Sequence, residues 1–138
     1  RSGGRGTGGG PSVCTVAHRH RALRTGTLGA PRPMLVLRGA GRSWELGTYH
    51  EELASLADRA DWFAYVPTVS RPWDDPEWDG ERGRVEDVLR KYLDATDFPL
   101  DDTAAYTCGH PQMIEKAQGI FERAGIDEEA IHEEKYFA

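Results

Sequence analysis

Three short segments hold residue types that chemistry needs. Cys108-Gly109-His110-Pro111-Gln112-Met113 joins the end of an apolar strand pattern to the start of a helical one. A thiol at such a junction lies where unpaired helix N–H groups and the helix dipole favour anions and thiolates. Gly109 leaves the backbone open to a ligand, and Pro111 suits a first helical turn because its missing N–H costs nothing there. Ser70-Arg71 closes a second strand pattern, and Arg84 opens the helix beyond a loop rich in Trp and Asp. A hydroxyl and two guanidinium forks suit a phosphate monoester, whose oxygens they match bidentately. Gly6-Thr7-Gly8-Gly9-Gly10-Pro11 is a glycine loop whose N–H groups can cradle a pyrophosphate. Each segment also has an ordinary reading: a structural cysteine before a glycine turn, two surface arginines, a flexible linker.

The elements that must position these residues follow from hydrophobic period. Residues 11–24 read as a helix, with Val13, Val16, Ala17 and Leu23 on a partial apolar face and His18 to Arg21 on the wet side. Met34 to Leu37 is a short apolar run, as in a strand covered on both faces. Thr48 and Glu51 form a capping box ahead of a helix over 49–59. Trp62 to Val66 is a strand that continues weakly to Val69, and 71–81 is a loop. Val85, Val88, Leu89, Tyr92 and Leu93 mark a helix over 82–95. Thr103 to Cys108 is a third strand, followed by a helix from Pro111 that Gly125 ends. A short strand at 131–137 completes the chain. Helices alternating with strands at these lengths predict an α/β fold: a three-layer parallel sheet with helices on both faces.

Composition narrows the classes. The 138 residues carry 17 Lys and Arg against 23 Asp and Glu, a net charge of -6, which argues against nucleic acid as a partner. No apolar run reaches the roughly 20 residues of a membrane span, and residues 1–20 lack the apolar stretch of a secretory signal. The two cysteines, Cys14 and Cys108, make no disulfide framework, so the cytoplasm is the expected compartment. Cys14, His18 and His20 lack the second ligand cluster that a structural zinc site needs, and no metal site is expected.

Taken together, the chemical segments resemble the NADP-binding domain of the ferredoxin–NADP(+) reductase family of flavoenzymes. The matching residues are Gly6-Thr7-Gly8 with Pro11, Ser70-Arg71, Gly83-Arg84, Cys108 to Met113, and the tail Glu134-Lys135-Tyr136-Phe137-Ala138. The resemblance implies strand order 3-2-1-4-5 and two cofactors, NADP and FAD. It gives Ser70, Arg71 and Arg84 the adenosine 2′-phosphate, and Gly6, Thr7 and Gly8 the pyrophosphate and nicotinamide. Gly109, Pro111 and Met113 belong to the cofactor-binding segment around Cys108. Cys108 would stand beside the nicotinamide, with Glu134 and Tyr136 where the family's carboxyl-terminal residues cover the flavin ring. Trp73 and Trp78, in the loop after Arg71, lie within reach of the adenine.

Three departures accompany the resemblance. The apolar first strand is replaced by Arg1-Ser2-Gly3-Gly4-Arg5, leaving 1–10 a glycine-rich, degraded loop ahead of a nucleotide-binding domain at 11–138. The first helix is poorly apolar, and the FAD-binding domain is absent from this chain. A missing central strand would separate 34–37 from 103–108 and leave two backbone ladders unpaired, at roughly 1–3 kcal/mol per buried group. The chain alone is therefore expected to be unstable unless residues 1–6 supply a substitute.

The implied activity is hydride exchange between NADPH and FAD and electron transfer with ferredoxin or flavodoxin, in the full-length protein; the isolated chain would be inactive. The alternatives are the reductase component of an oxygenase and a truncated nucleotide-binding fragment without catalysis. A thiol hydrolase built on Cys108 and His110 lacks an orienting Asn or Asp.

Overall fold

The computed structural model describes residues 12–18, 33–96 and 99–135. Its frame is a mixed sheet of order β4-β3-β2-β1-β5-β6, with β1 Ser12–His18, β2 Met34–Ala40, β3 Phe63–Val69, β4 Glu81–Arg82, β5 Thr103–Gly109 and β6 Ile131–Lys135. Three helices complete it: α1 His50–Arg59, α2 Val85–Asp94 and α3 Pro111–Ala124. The expected α/β class, with helices on both faces, is what forms.

The largest departure from expectation is β1. The segment read as a helix over 11–24 is instead an extended strand over 12–18, antiparallel to both β2 and β5. It fills the central place expected to be vacant, so the sheet is mixed rather than wholly parallel. The physical reason is that the same side chains satisfy both periods. Cys14 and Val16 are fully buried while Val13, Thr15 and Ala17 are half-buried, a strand alternation. Val13, Thr15 and Val16 are β-branched and stiff at χ1, which favours extended backbone. Flanking strands with open ladders on both sides decide the matter, because tertiary pairing overrides weak helical propensity.

Smaller differences concern boundaries. α1 begins at His50 after N-cap Tyr49, without the capping box expected of Thr48 and Glu51. Gly47, at φ +96°, turns the chain there, and His50 Nδ1 lies 2.8 Å from the Tyr65 hydroxyl. Glu81, expected to end the 71–81 loop, and Arg82, expected to open the helix, pair instead with Thr68 and Val69 as β4. The last strand covers Ile131–Lys135.

The main core lies on one face of the sheet. Cys14, Val16, Leu35, Leu37 and Ala105 meet Val85, Leu89 and Leu93 of α2 and Ile114, Ala117 and Phe121 of α3. Burying such side chains stabilises by about 1.5–3 kcal/mol each. Gly39 lets α2 approach: a Cβ there would stand 2.5 Å from Val85 Cγ2. The opposite face carries α1 against β3. Over β1, β5 and β6 that face presents Tyr106, half exposed and stacked on His132 at 4.9 Å between ring centres.

Candidate functional site

β2, β3 and β5 run in the same direction, since β1 is antiparallel to two of them and β2 pairs in parallel with β3. Their carboxyl ends therefore share one edge of the sheet, the usual ligand edge of an open α/β sheet. Ser12, at the amino end of β1, lies on that edge opposite Gly39.

At the β2–β3 end the chain leaves Val69 into Ser70 and Arg71, whose N–H groups donate to Ala40 and Gly41 carbonyls at 2.9 Å each. These bonds tie the loop after β3 to the loop after β2. Ion pairs and a buried carboxylate reinforce the tie. Asp74 Oδ2 accepts from Arg42 Nη2 at 2.9 Å and lies 3.4 Å from Arg71 Nε, while Asp75, nearly buried, accepts from the Ser43 N–H at 2.8 Å. Hydrogen bonds from Arg42 to Asp74 and then to Glu45 hold its guanidinium still more firmly charged than usual. Arg84, the N-cap of α2, is exposed and makes no ion pair among the described residues. Sequence reading singled out Ser70, Arg71 and Arg84 but missed Arg42. The signal was there, in a basic residue just past a strand end and the glycine pair Gly39 and Gly41.

Of the tryptophans in this region, Trp73 and Trp44 stand 70% and 67% exposed, whereas Trp78 is half-buried and donates from Nε1 to the Glu81 carbonyl at 2.8 Å. Trp44 thus presents a second open indole beside the arginines' loops, on a turn that sequence reading passed over. Glu81 holds the far side of the loop. It pairs with Lys91 at 2.6 Å and accepts from the Tyr92 hydroxyl, and these two contacts hold its carboxyl below the usual range.

At the β5–β6 end, Cys108 is half-buried and stands in parallel register with Glu134. The structure therefore brings together two residues that sequence reading joined only through resemblance. Both line a cleft of about 300 Å³ whose other walls include Val13, Thr15, Tyr106 and His132. Gly109 keeps the turn beneath it tight, for a Cβ there would meet Ser12 Oγ at 3.1 Å and Met113 Sδ at 3.5 Å. Pro111 is the first residue of α3, and His110 Nδ1 caps it by accepting from the Gln112 N–H at 3.4 Å. Met113 is buried, with Thr107 Oγ1 3.6 Å from its sulfur. Thr107 also accepts from Cys14 Sγ at 3.7 Å, and burial pushes the Cys14 thiol up to about 12.

Gly6, Thr7, Gly8 and Tyr136 lie outside the described residues, as does the whole glycine-rich loop over 1–10. The two ends of the edge are three inter-strand steps apart, about 14 Å at roughly 4.8 Å per step. Groups in extended connection, such as the two halves of a dinucleotide, span that separation. Among the described residues no cluster of metal-ligating side chains occurs, and no helix is long and apolar enough to cross a membrane.

Comparison with known proteins agrees with this geometry. The family model described as an oxidoreductase NAD-binding domain matches residues 4–119. The reductase component DmpP of phenol 2-monooxygenase from Pseudomonas sp. (strain CF600) is 34% identical over 110 residues, covering 79% of this chain and 30% of that protein. The xylene/toluene monooxygenase electron transfer component XylA of Pseudomonas putida is 27% identical over 132 residues, covering 96% of this chain and 35% of the relative. The chain thus spans about a third of the length of these relatives. The crystal structure of the Amycolatopsis cytochrome P450 reductase GcoB shares the fold at a TM-score of 0.56 and 24% identity, over 73% of this chain and 28% of that one.

Proposed function

The chain belongs to the oxidoreductase NAD-binding domain family, in its ferredoxin reductase-type branch, and from that premise we propose that residues 11–138 form the NADP(H)-binding domain of a flavin-dependent reductase. The observation that carries the proposal is the placement of Ser70, Arg71 and Arg42 on the same sheet edge as Cys108 and Glu134, one dinucleotide length away.

In this reading Arg71, Arg42, Arg84 and the Ser70 hydroxyl hold the ribose phosphate, by charge-assisted bonds worth about 1.5–3 kcal/mol each. Trp73 and Trp44 offer open faces for the adenine. Gly6, Thr7 and Gly8 serve the pyrophosphate. Cys108 and Glu134 flank the nicotinamide end, Gly109 and Pro111 keep the backbone low beneath it, and Met113 supports the turn from the core. Tyr136 is assigned to the flavin ring. When bound, the nicotinamide supplies a hydride and the flavin divides an electron pair into single electrons. This chain's residues align, hold charge and exclude water. The flavin is held mainly by a separate domain, so the 138 residues alone are inactive. The electron partner is ferredoxin or flavodoxin, and the proposed setting is the cytoplasm, in keeping with the two free thiols.

A second reading, the reductase component of an oxygenase, is favoured by the two Pseudomonas relatives, a phenol 2-monooxygenase reductase component and a xylene/toluene monooxygenase electron transfer component. It keeps the nucleotide site and changes the electron acceptor. Titrating the chain with 2′-phospho-AMP tests the shared part: Arg71→Ala is expected to weaken binding by about tenfold or more. Unchanged affinity in Arg71→Ala would remove the 2′-phosphate assignment.

A further inference from the structure

Asp74 stands between the arginines of the β2–β3 edge. Its Oδ2 accepts from Arg42 at 2.9 Å and pairs with Arg71 at 3.4 Å, while Glu45 takes the remaining fork of Arg42 at 3.0 Å. Two guanidinium groups are thus already balanced by two carboxylates. The turn that carries Asp74 is fixed from both sides. The Asp74 N–H donates to the Arg71 carbonyl at 3.0 Å, and the neighbouring Asp75 is anchored to Ser43 at 2.8 Å. The carboxylate is therefore held next to the donors that a ribose phosphate would use.

A carboxylate and a phosphate monoester seek the same guanidinium N–H groups. A phosphate arriving here must displace Asp74 and then lie close to its charge. A ribose with a free 2′-hydroxyl meets no such conflict, since a hydroxyl can donate to the carboxylate. We propose that Asp74 is a specificity-determining residue, a built-in competitor that lowers the preference of this edge for 2′-phosphorylated nucleotides over unphosphorylated ones. The proposal rests on the assignment of Arg71 and Arg42 to the ribose end.

The test measures affinity of the 138-residue chain for adenosine 2′,5′-bisphosphate and for 5′-AMP by calorimetric titration. Asp74→Asn and Asp74→Ala are expected to tighten the bisphosphate about fivefold, the weight of one exposed ion pair, and to leave 5′-AMP within twofold. Asp79→Asn removes the same charge from an exposed position in the same loop and is expected to change neither ligand by more than twofold. Measurable bisphosphate binding in the wild type that tightens about fivefold in both Asp74 variants supports the proposal. If the bisphosphate binds, Arg71→Ala abolishes it and neither Asp74 variant tightens it, the competitor is overturned while the site assignment stands. Equal tightening by Asp79→Asn also overturns it, because the effect is then general charge. If no variant binds the bisphosphate, the site assignment and the proposal fall together. Thermal melting of each variant confirms that the fold is kept.

Discussion

The β2–β3 end of the sheet edge and the sheet's centre are held by different forces. Around Arg42, Ser70, Arg71 and Asp74, two loops are joined by backbone hydrogen bonds and partly exposed ion pairs. Around Cys14, Val16 and Ala105, three strands are joined by full ladders and side chains at zero exposure. Exposed ion pairs contribute up to about 1 kcal/mol, whereas a buried aliphatic side chain contributes several times that. The edge can therefore change its charges and keep its shape, while the centre cannot change a side chain without moving the sheet. Charge can be retuned where the fold does not depend on it.

The strongest way to break that contrast is Cys14→Asp. It places a carboxyl among apolar side chains with no cationic partner, and a loss of about 3 kcal/mol or more is expected, a large share of a typical 5–15 kcal/mol. A chemical-denaturation midpoint gives the number. A loss below about 0.5 kcal/mol would mean that position 14 is on a wet surface, as a helix over 11–24 requires. Arg71→Ala, by contrast, is expected to leave the midpoint unchanged within about 0.5 kcal/mol.

Thiol chemistry sharpens the contrast further. The folded-state value of Cys14 is raised from 9.0 to about 12, so the protonated thiol is fully compatible with the fold below pH 9. Stability is then lost progressively as pH rises from 9 towards 12, and Cys14→Ala should flatten that alkaline loss. Near pH 8 an aromatic disulfide reagent is expected to label Cys108, half-buried at the cleft, well before Cys14, and both in denaturant. Equal rates in the native state would contradict the placement of Cys14 inside the sheet.

Much of this was legible in sequence, for reasons particular residues make plain. α2 and α3 were readable because Val85, Val88, Leu89 and Leu93, and Met113, Ala117 and Phe121, follow the helical period and are buried. That Cys108 and Glu134 of the last strand stand at one end of the sheet came from the family resemblance alone, since nothing in strand and helix alternation sets that register. β1 was not readable, since Val13, Val16 and Ala17 fit a helical face as well as a strand, and only the open ladders of β2 and β5 decide between them. Arg42 and Asp74 were hidden for another reason: they are 32 residues apart, and only the parallel pairing of β2 with β3 brings them together.

Two smaller effects remain. Ser70→Ala should weaken 2′-phospho-AMP by about fivefold, the weight of one hydroxyl hydrogen bond, with no change in melting. Glu81→Gln should cost no more than about 1 kcal/mol. The carboxyl of Glu81 is lowered by Lys91 and Tyr92, so its contribution is present above the ordinary value of 4.5 and disappears as pH falls through the folded one. A stability profile of Glu81→Gln between pH 3 and 7 should therefore converge with wild type at the acid end.

The account depends on one dinucleotide lying along the edge from Arg71 to Cys108, and amide NMR tests this most directly. With 2′-phospho-AMP as probe, shifts are expected at Gly41, Arg42, Ser70, Arg71 and Arg84, and with nicotinamide mononucleotide at Cys108, Gly109 and His110. Shifts from both probes at a single end, or from 2′-phospho-AMP at neither end, would contradict it.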